Sequence, residues 1–155
     1  MKTLYIFVAL FISFLWGLAP IIHKLVLKNI NPITVFILSG VIYSITMAFF
    51  ITTQIETLKK DIPKIELRDL GLIAFASIID AFLANFLYYN VLKDNESYIV
   101  SALIFSSPVF TLLLAYLFLQ EKITLMGATG VFLIILGVIC ISVNTYKIEE
   151  YINYL

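Results

Sequence analysis

The sequence predicts an all-α polytopic membrane protein, and its composition, its hydropathy and the spacing of its polar segments support this fold class. Of its 155 residues, 62% are apolar and 13% are charged, whereas a soluble domain carries about 25% charged residues. The mean hydropathy is +1.05. Five apolar stretches are separated by short polar segments, and each is close to the length of about 20 residues that a helix needs to cross a bilayer.

The charge balance and the motif content exclude several functional classes. Ten Lys/Arg balance ten Asp/Glu, so the chain lacks the basic excess that is typical of nucleic-acid binding. Cys140 is the single cysteine and can form no internal disulfide. No His/Cys/Asp/Glu cluster has metal-ligand spacing, and no nucleophile elbow or phosphate-binding glycine loop occurs. We therefore expect no enzyme activity, no metal and no cofactor.

The predicted spans are residues 4–22, 33–55, 70–92, 98–119 and 123–143. They are expected to form a single transmembrane domain, residues 1–145, followed by a short aromatic and charged tail, residues 146–155. The first span also has features of a signal peptide, but Pro20 directly follows the candidate cleavage region and the apolar run is long. We therefore expect the first span to be retained as a helix.

The loop charges favour a cytoplasmic N-terminus and an outside C-terminus in the plasma membrane. With five spans, six Lys/Arg lie on the side of the N-terminus and four on the opposite side, and the more basic side is usually cytoplasmic. So small a difference is also compatible with insertion in both orientations. The six are Lys2, Lys59, Lys60, Lys64, Arg68 and Lys122, and the four are Lys24, Lys28, Lys93 and Lys147.

The first span contains Trp16 and Pro20 on one helical face. Proline removes one helix hydrogen bond and frees a carbonyl group, which is tolerated at membrane depth where it lines protein or water. Pro20 is therefore expected to permit bending. Trp16 could stack on a substrate or pack in a helix interface. Near the end of this span, His23 is expected to be solvated and Lys24 to reach the membrane surface.

The third span carries the most informative polar residue, Asp80. At about 100° per residue, Asp80, Asn85 and Tyr88 share one face with small residues, and bulky apolar residues occupy the opposite face. With no basic residue at comparable depth, the carboxyl group could exchange a proton or pair with a cationic substrate. The alternative is a protonated carboxyl group that only joins two helices by a hydrogen bond. Asn85 and Tyr88 could likewise orient a ligand or close an interhelical bond, whereas Tyr89 is expected near the headgroup region.

The fourth and fifth spans differ in their small and helix-breaking residues. Pro108 lies in the middle of the fourth span and is expected to bend it. Two spans interrupted by proline are typical of a transporter site built from broken helices. Gly127, Gly130 and Gly137 share a face of the fifth span and favour close helix packing.

Two stretches carry more specific motifs. The first is Trp16-Gly17-Leu18-Ala19-Pro20-Ile21-Ile22-His23-Lys24, followed by Asn31-Pro32. The second is Pro108-Val109-Phe110-Thr111, then Leu119-Gln120-Glu121-Lys122-Ile123-Thr124, Gly130 and Leu136-Gly137-Val138. Together they resemble the EamA-type domain of the drug/metabolite transporter superfamily, over nearly the whole chain. Two residues depart from the pattern: Gln120 stands where a glycine is usual, and Ser39 near where an arginine often occurs.

The resemblance implies one five-helix repeat of a transporter that exports a small metabolite or amphipathic compound by alternating access. Most members of the family carry two repeats, and an odd number of spans inverts the second, which places the substrate site between them. We therefore expect a homodimer, antiparallel in the simplest case, or a pair with a related five-helix protein.

On this hypothesis Asp80 couples transport or senses a cation, and the substrate cavity is lined by Trp16, Asn85 and Tyr88. The expected partners are the lipid bilayer, a small-molecule substrate and a second five-helix unit, with no nucleic acid. The alternative hypothesis is an accessory or scaffold subunit that transports nothing itself and pairs with a larger partner. In that case Asp80 would serve only helix packing.

Overall fold

A computed structural model describes the backbone of residues 3–153 and the side chains of residues 4–143. All regular structure in this part of the chain is helical. Five segments of it are long and apolar enough to cross a membrane: Leu4–Leu27, Pro32–Thr53, Leu67–Asp94, Ser97–Leu119 and Leu125–Val143. The predicted all-α polytopic fold class is confirmed, and each predicted span overlaps one of these segments.

The chain divides into two compact units, the first ending at Asp94 and the second beginning at Asn95. The first unit holds three of the spans and the second holds two. The assignment of residues 1–145 to one transmembrane domain stays a prediction.

The first unit begins with two uninterrupted helices, α1 (Thr3–Leu27) and α2 (Pro32–Thr53). Pro20 is buried within α1, which continues through it. α2 begins with Pro32. The missing N–H group of proline costs no hydrogen bond here, because the first N–H groups of a helix have no partner within it. The Asn31 side chain caps this end, because its Oδ1 accepts a hydrogen bond of 2.9 Å from the N–H of Ile33.

The segment between the second and third spans is also helical. It consists of α3 (Ile55–Asp61) and a 3₁₀ turn (Ile62–Lys64). Two ion pairs lie here, Lys59–Glu56 at 3.3 Å and Lys64–Asp61 at 2.6 Å, and all four side chains are exposed. Exposed pairs of this kind contribute about 0–1 kcal/mol each, so they do not determine the fold.

The third span is not the continuous α-helix that its hydrophobic pattern predicts. It consists of α4 (Leu67–Ser77), a π-helical segment (Ile78–Ala84) and α5 (Asn85–Asp94). The π-helical segment contains Asp80. Short π-helical stretches inside α-helices are rare and occur often at functional sites.

The buried residues of the first unit lie where α1 ends, α2 begins and α5 ends. They include Leu27, Val35, Tyr89 and Leu92, each at most 5% exposed. α5 packs against both α1 and α2 in this region. Most other large apolar side chains of the described spans are exposed, as suits helices that face lipid or further helices.

The second unit contains α6 (Ser97–Ile104), α7 (Ser107–Leu119) and α8 (Leu125–Asn153). The fourth span is broken at Phe105 and Ser106, and Pro108 lies in the first turn of α7. Pro108 therefore marks the start of a new helix rather than a bend within one. The backbone of the predicted tail continues α8 as far as Asn153, and the tail side chains lie outside the described residues.

Candidate functional site

A cleft of about 360 Å³ lies within the first unit, between α2 and the third span. We call it the Asp80 cleft. Its walls come from α2, the π-helical segment and α5: Phe36, Ser39, Gly40, Tyr43, Asp80, Ala81, Asn85 and Tyr89. Asp80 and Asn85, which the sequence places on one helical face, thus lie in the same cleft.

The π-helical segment changes which side chains follow Asp80 along the cleft. A π turn closes its hydrogen bond on the fifth residue rather than the fourth, so it adds about one residue to the turn. The cleft lining that contains Asp80 and Asn85 therefore continues to Tyr89, and Tyr88 lies outside it. A fixed α-helical period places Tyr88 at the angle that Tyr89 takes, and a role of Tyr88 in the substrate cavity stays a prediction.

Asn85 stabilises the end of the π-helical segment. Its backbone N–H donates to the carbonyl oxygen of Phe82, and its side chain bonds to carbonyl groups one turn further back along the helix. Its Nδ2 donates to the carbonyl oxygen of Asp80 at 2.8 Å and approaches that of Ala81 at 3.5 Å. Asn85 thus satisfies carbonyl groups of its own span, a third possibility beside the ligand contact and the interhelical bond considered from the sequence.

The Asp80 side chain is exposed in the first unit and has no cationic neighbour in its cleft, since the lining contains no Lys, Arg or His. Both ion pairs among the described side chains lie between the second and third spans. A carboxylate within a membrane span is costly and usually faces a polar partner or a cavity. Asp80 therefore matches the expected pattern of an intramembrane acid without a basic partner in the same cleft.

Tyr89 links three helices beside this cleft. Its hydroxyl group donates to Ser39 Oγ at 3.1 Å and lies 3.3 Å from His23 Nε2. With a proton on Nε2, His23 donates to the Tyr89 oxygen, and the two rings meet edge to face at 4.9 Å. His23 Nδ1 is buried and has no hydrogen-bond partner among the described residues.

This cluster was not predicted from the sequence. The expectation that His23 is solvated is wrong, because His23 is partly buried against Tyr89. Tyr89 is only 4% exposed, and its position near the headgroup region stays a prediction. The π turn moves Tyr89 onto the cleft side, and the residues of this turn carry no sequence signal that could have revealed it.

Lys24 joins α1 to the C-terminal end of α5. Its Nζ donates to the carbonyl oxygens of Leu92, at 2.8 Å, and Lys93, at 2.7 Å. The last carbonyl groups of a helix lack intrahelical partners and carry partial negative charge, so a lysine there satisfies both needs. Lys24 was expected to reach the membrane surface, and its contact with the end of α5 was not predicted.

The second unit contains a separate cleft of about 440 Å³, formed by the start of α7, the α7–α8 connection and the start of α8. Pro108 and Thr111 line it, as do Glu121, Lys122 and Gly127. Gly127 lies close to Thr124: its N–H donates to Thr124 Oγ1 at 3.1 Å, and an added Cβ atom would meet that oxygen at 3.1 Å.

Comparison with known proteins identifies the family. The sequence profile of the EamA-like transporter family matches residues 3–143. The chain belongs to the EamA-like transporter family. It is 30% identical over 146 residues to an uncharacterized transporter from Archaeoglobus fulgidus, and the match covers 92% of this chain and 48% of that protein. The chain thus spans about half the length of this curated relative. No solved structure matches it significantly.

The two departures from the EamA pattern now have structural settings. Gln120 ends α7 with φ 54° and ψ 32°, the left-handed conformation that favours glycine. Its N–H and that of Glu121 both donate to the carbonyl oxygen of Ala115. Ser39, the second departure named above, accepts the hydrogen bond from Tyr89.

Trp16, part of the first EamA motif, lies on α1 with its side chain 60% exposed. It lies outside the lining of the Asp80 cleft. Contact between Trp16 and a substrate stays a prediction, and so do the functional roles of Asp80, Asn85, Tyr88, Pro20 and Pro108.

Proposed function

We propose that this EamA-like protein exports a small metabolite or amphipathic compound by alternating access, with the Asp80 cleft as its part of the substrate site. The observation that supports this most directly is an acidic residue, Asp80, that lies in a π-helical segment of a membrane span and lines a cleft without a basic residue. A π-helical segment and an α-helical one differ by a small shift of hydrogen bonds. Asp80 therefore lies where a local change in helix geometry would alter access to the cleft.

We further propose that the complete transporter contains two five-helix units in the plasma membrane, the second supplied by another copy of this chain. Three considerations support a pair: the chain spans 48% of its relative, its five spans invert a following unit, and the described spans expose most of their large apolar side chains. An antiparallel pair would place the two Asp80 clefts on opposite sides of a shared midplane.

Proton-coupled transport tests the role of Asp80. Purified protein is reconstituted into liposomes that contain a pH-sensitive dye, and a panel of amphipathic metabolites is added outside. We expect at least one compound to drive proton movement, and Asp80→Asn to abolish it. Asp61→Asn is the matched control, because Asp61 is an exposed carboxylate outside the spans. Unchanged flux in Asp80→Asn, with normal insertion, would remove Asp80 from the coupling mechanism.

Orientation tests the proposed pairing. A reporter active only in the cytoplasm and one active only outside are each fused after Leu155. Signal from both supports dual insertion and an antiparallel homodimer. Signal from the outside reporter alone supports a cytoplasmic N-terminus and excludes the antiparallel homodimer. Signal from the cytoplasmic reporter alone contradicts the proposed topology.

The second candidate function is that of an accessory subunit that pairs with a larger partner. It is favoured by the same apolar exposure and by the half-length match to the relative. Reconstitution separates the two candidates. A transporter moves compounds when this chain is the only kind of polypeptide in the liposomes, whereas an accessory subunit needs a different polypeptide as well.

A further inference from the structure

The side chains that line the Asp80 cleft include one acidic group and no basic one. Asp80 supplies a carboxylate, and no Lys, Arg or His contributes to the lining. The Nδ2 of Asn85 is used by the carbonyl oxygen of Asp80, which leaves its Oδ1 as an acceptor. The hydroxyl hydrogen of Tyr89 is used by Ser39. An anionic ligand would therefore meet the negative charge of Asp80, with no cationic side chain in the lining to offset it.

Aromatic rings make up much of the remaining wall. Phe36 and Tyr43 come from α2 and Tyr89 from α5. The Tyr89 ring is held by its hydroxyl contacts with Ser39 and His23, and Phe36 packs against it with ring centroids 6.3 Å apart. The negative faces of aromatic rings attract ammonium groups, above all quaternary ones, in a desolvated site.

We propose that the Asp80 cleft selects organic cations, compounds with an ammonium or quaternary ammonium group attached to an apolar body. Asp80 provides the opposite charge, Phe36, Tyr43 and Tyr89 provide the aromatic wall, and the volume of about 360 Å³ holds a compound of small-metabolite size. This inference rests on the proposed function, since it names the substrate class of the same cleft.

A matched pair of probes tests the charge preference directly. (3-Hydroxyphenyl)trimethylammonium and 3-tert-butylphenol have nearly the same shape and differ by the positive charge. Each is titrated calorimetrically into the purified protein in lipid nanodiscs, with empty nanodiscs as the blank. We expect the cation to bind at least about tenfold more tightly than the neutral compound, which corresponds to a difference of about 1.4 kcal/mol in binding free energy. Equal binding, or no saturable binding of the cation, would overturn the proposal.

Variants then assign the preference to the cleft. Asp80→Asn is expected to weaken binding of the cation by about tenfold and to leave the neutral compound unchanged. Tyr43→Leu is expected to weaken the cation by about two- to fivefold, because one exposed cation–π contact is lost. Tyr5→Leu is its control, an exposed tyrosine of the same unit outside the cleft. If Asp80→Asn and Tyr43→Leu bind the cation as tightly as the unaltered protein does, the cleft is not the site. Tyr43 is itself exposed, so its variant remains informative if Asp80→Asn does not fold.

The outcome for substrate class is separable from the outcome for transport. Binding of the cation that depends on Asp80, without movement of the cation into liposomes, would support the cation site and contradict the transport proposal. Asp80-dependent proton movement driven only by neutral or anionic compounds would support transport and overturn the cation proposal.

Discussion

The two units each interrupt a membrane span, but they do so in different ways. In the first unit the π-helical segment Ile78–Ala84 contains no proline or glycine, and side chains hold its surroundings: Asn85 bonds back to the carbonyl of Asp80, and Tyr89 and Lys24 connect neighbouring helices. In the second unit the break lies at Phe105 and Ser106, just before Pro108. A change in local backbone conformation marks this second interruption.

The difference shows where a charge can be accommodated in a span. The interruption held by side chains contains the carboxylate of Asp80 and brings polar groups of three helices together beside it. The interruption at Pro108 contains hydroxyl groups, and the charged residues of its cleft, Glu121 and Lys122, come from the connection after α7. We therefore expect the stability of the first unit to respond more to substitutions that remove side-chain hydrogen bonds. We expect the stability of the second unit to respond more to substitutions that change the preferred backbone conformation.

The largest effect on stability is expected for Lys24→Met, which keeps the apolar stem and removes the two bonds to the carbonyl oxygens of Leu92 and Lys93. Hydrogen bonds to charged groups contribute about 1.5–3 kcal/mol, so we expect a loss of about 2 kcal/mol, measured by thermal unfolding in detergent. Lys28→Met, at an exposed position one turn later, is the control and should change stability little. Equal losses in both variants would mean that the loss comes from removing a lysine and not from breaking the link between α1 and α5.

A smaller loss, about 1–2 kcal/mol, is expected for Tyr89→Phe, because it leaves His23 Nε2 and Ser39 Oγ without their shared partner. Tyr88→Phe is the matched control: the adjacent, half-buried tyrosine packs edge to face on His23 at 6.0 Å through its ring, which the substitution keeps. Unfolding measurements on the two variants compare neighbouring hydroxyl groups. A greater loss in Tyr88→Phe would contradict the register imposed by the π-helical segment.

The smallest effect is expected for Gln120→Gly, which should increase the stability of the folded protein. Gln120 has a φ of 54°, which costs a residue with a side chain about 1–2 kcal/mol. Glycine removes this strain but has more freedom in the unfolded chain, so we expect a net stabilisation of about 0.5–1 kcal/mol. Gln54→Gly, at the end of α2 with a φ of −116°, relieves no such strain and should destabilise. Destabilisation by both substitutions would show that the Gln120 side chain contributes more than its conformation costs.

Much of the fold could be predicted from the sequence because its main signals are local. Apolar runs of membrane-spanning length indicate each span, whatever surrounds it. Pro108 marks the broken fourth span, although the sequence suggested a bend and the structure has a new helix start. Asn31 followed by Pro32 indicates the start of α2 in the same local way.

The site was predicted in part, and the missing part depends on long-range contacts. Asp80 is conspicuous as an acid in an apolar span, but the π-helical segment around it has no composition of its own, so a fixed period of about 100° per residue places Tyr88 where Tyr89 lies. The partners of Tyr89 and Lys24 are more than 45 positions away along the chain. A periodicity within one helix carries no information on such pairs.

The π-helical segment also affects how this chain should be aligned with other EamA-like proteins. A relative whose third span is a continuous α-helix would need one residue fewer to make the same turns. Against such a relative, an alignment without a gap at residues 78–84 would displace every later residue of the span by one position. The residue equivalent to Tyr89 would then be compared with Tyr88. Placing a single-residue gap inside the third span would restore the correspondence, and would make the third span a place where evolution can move a side chain to another helix face by inserting or deleting one codon.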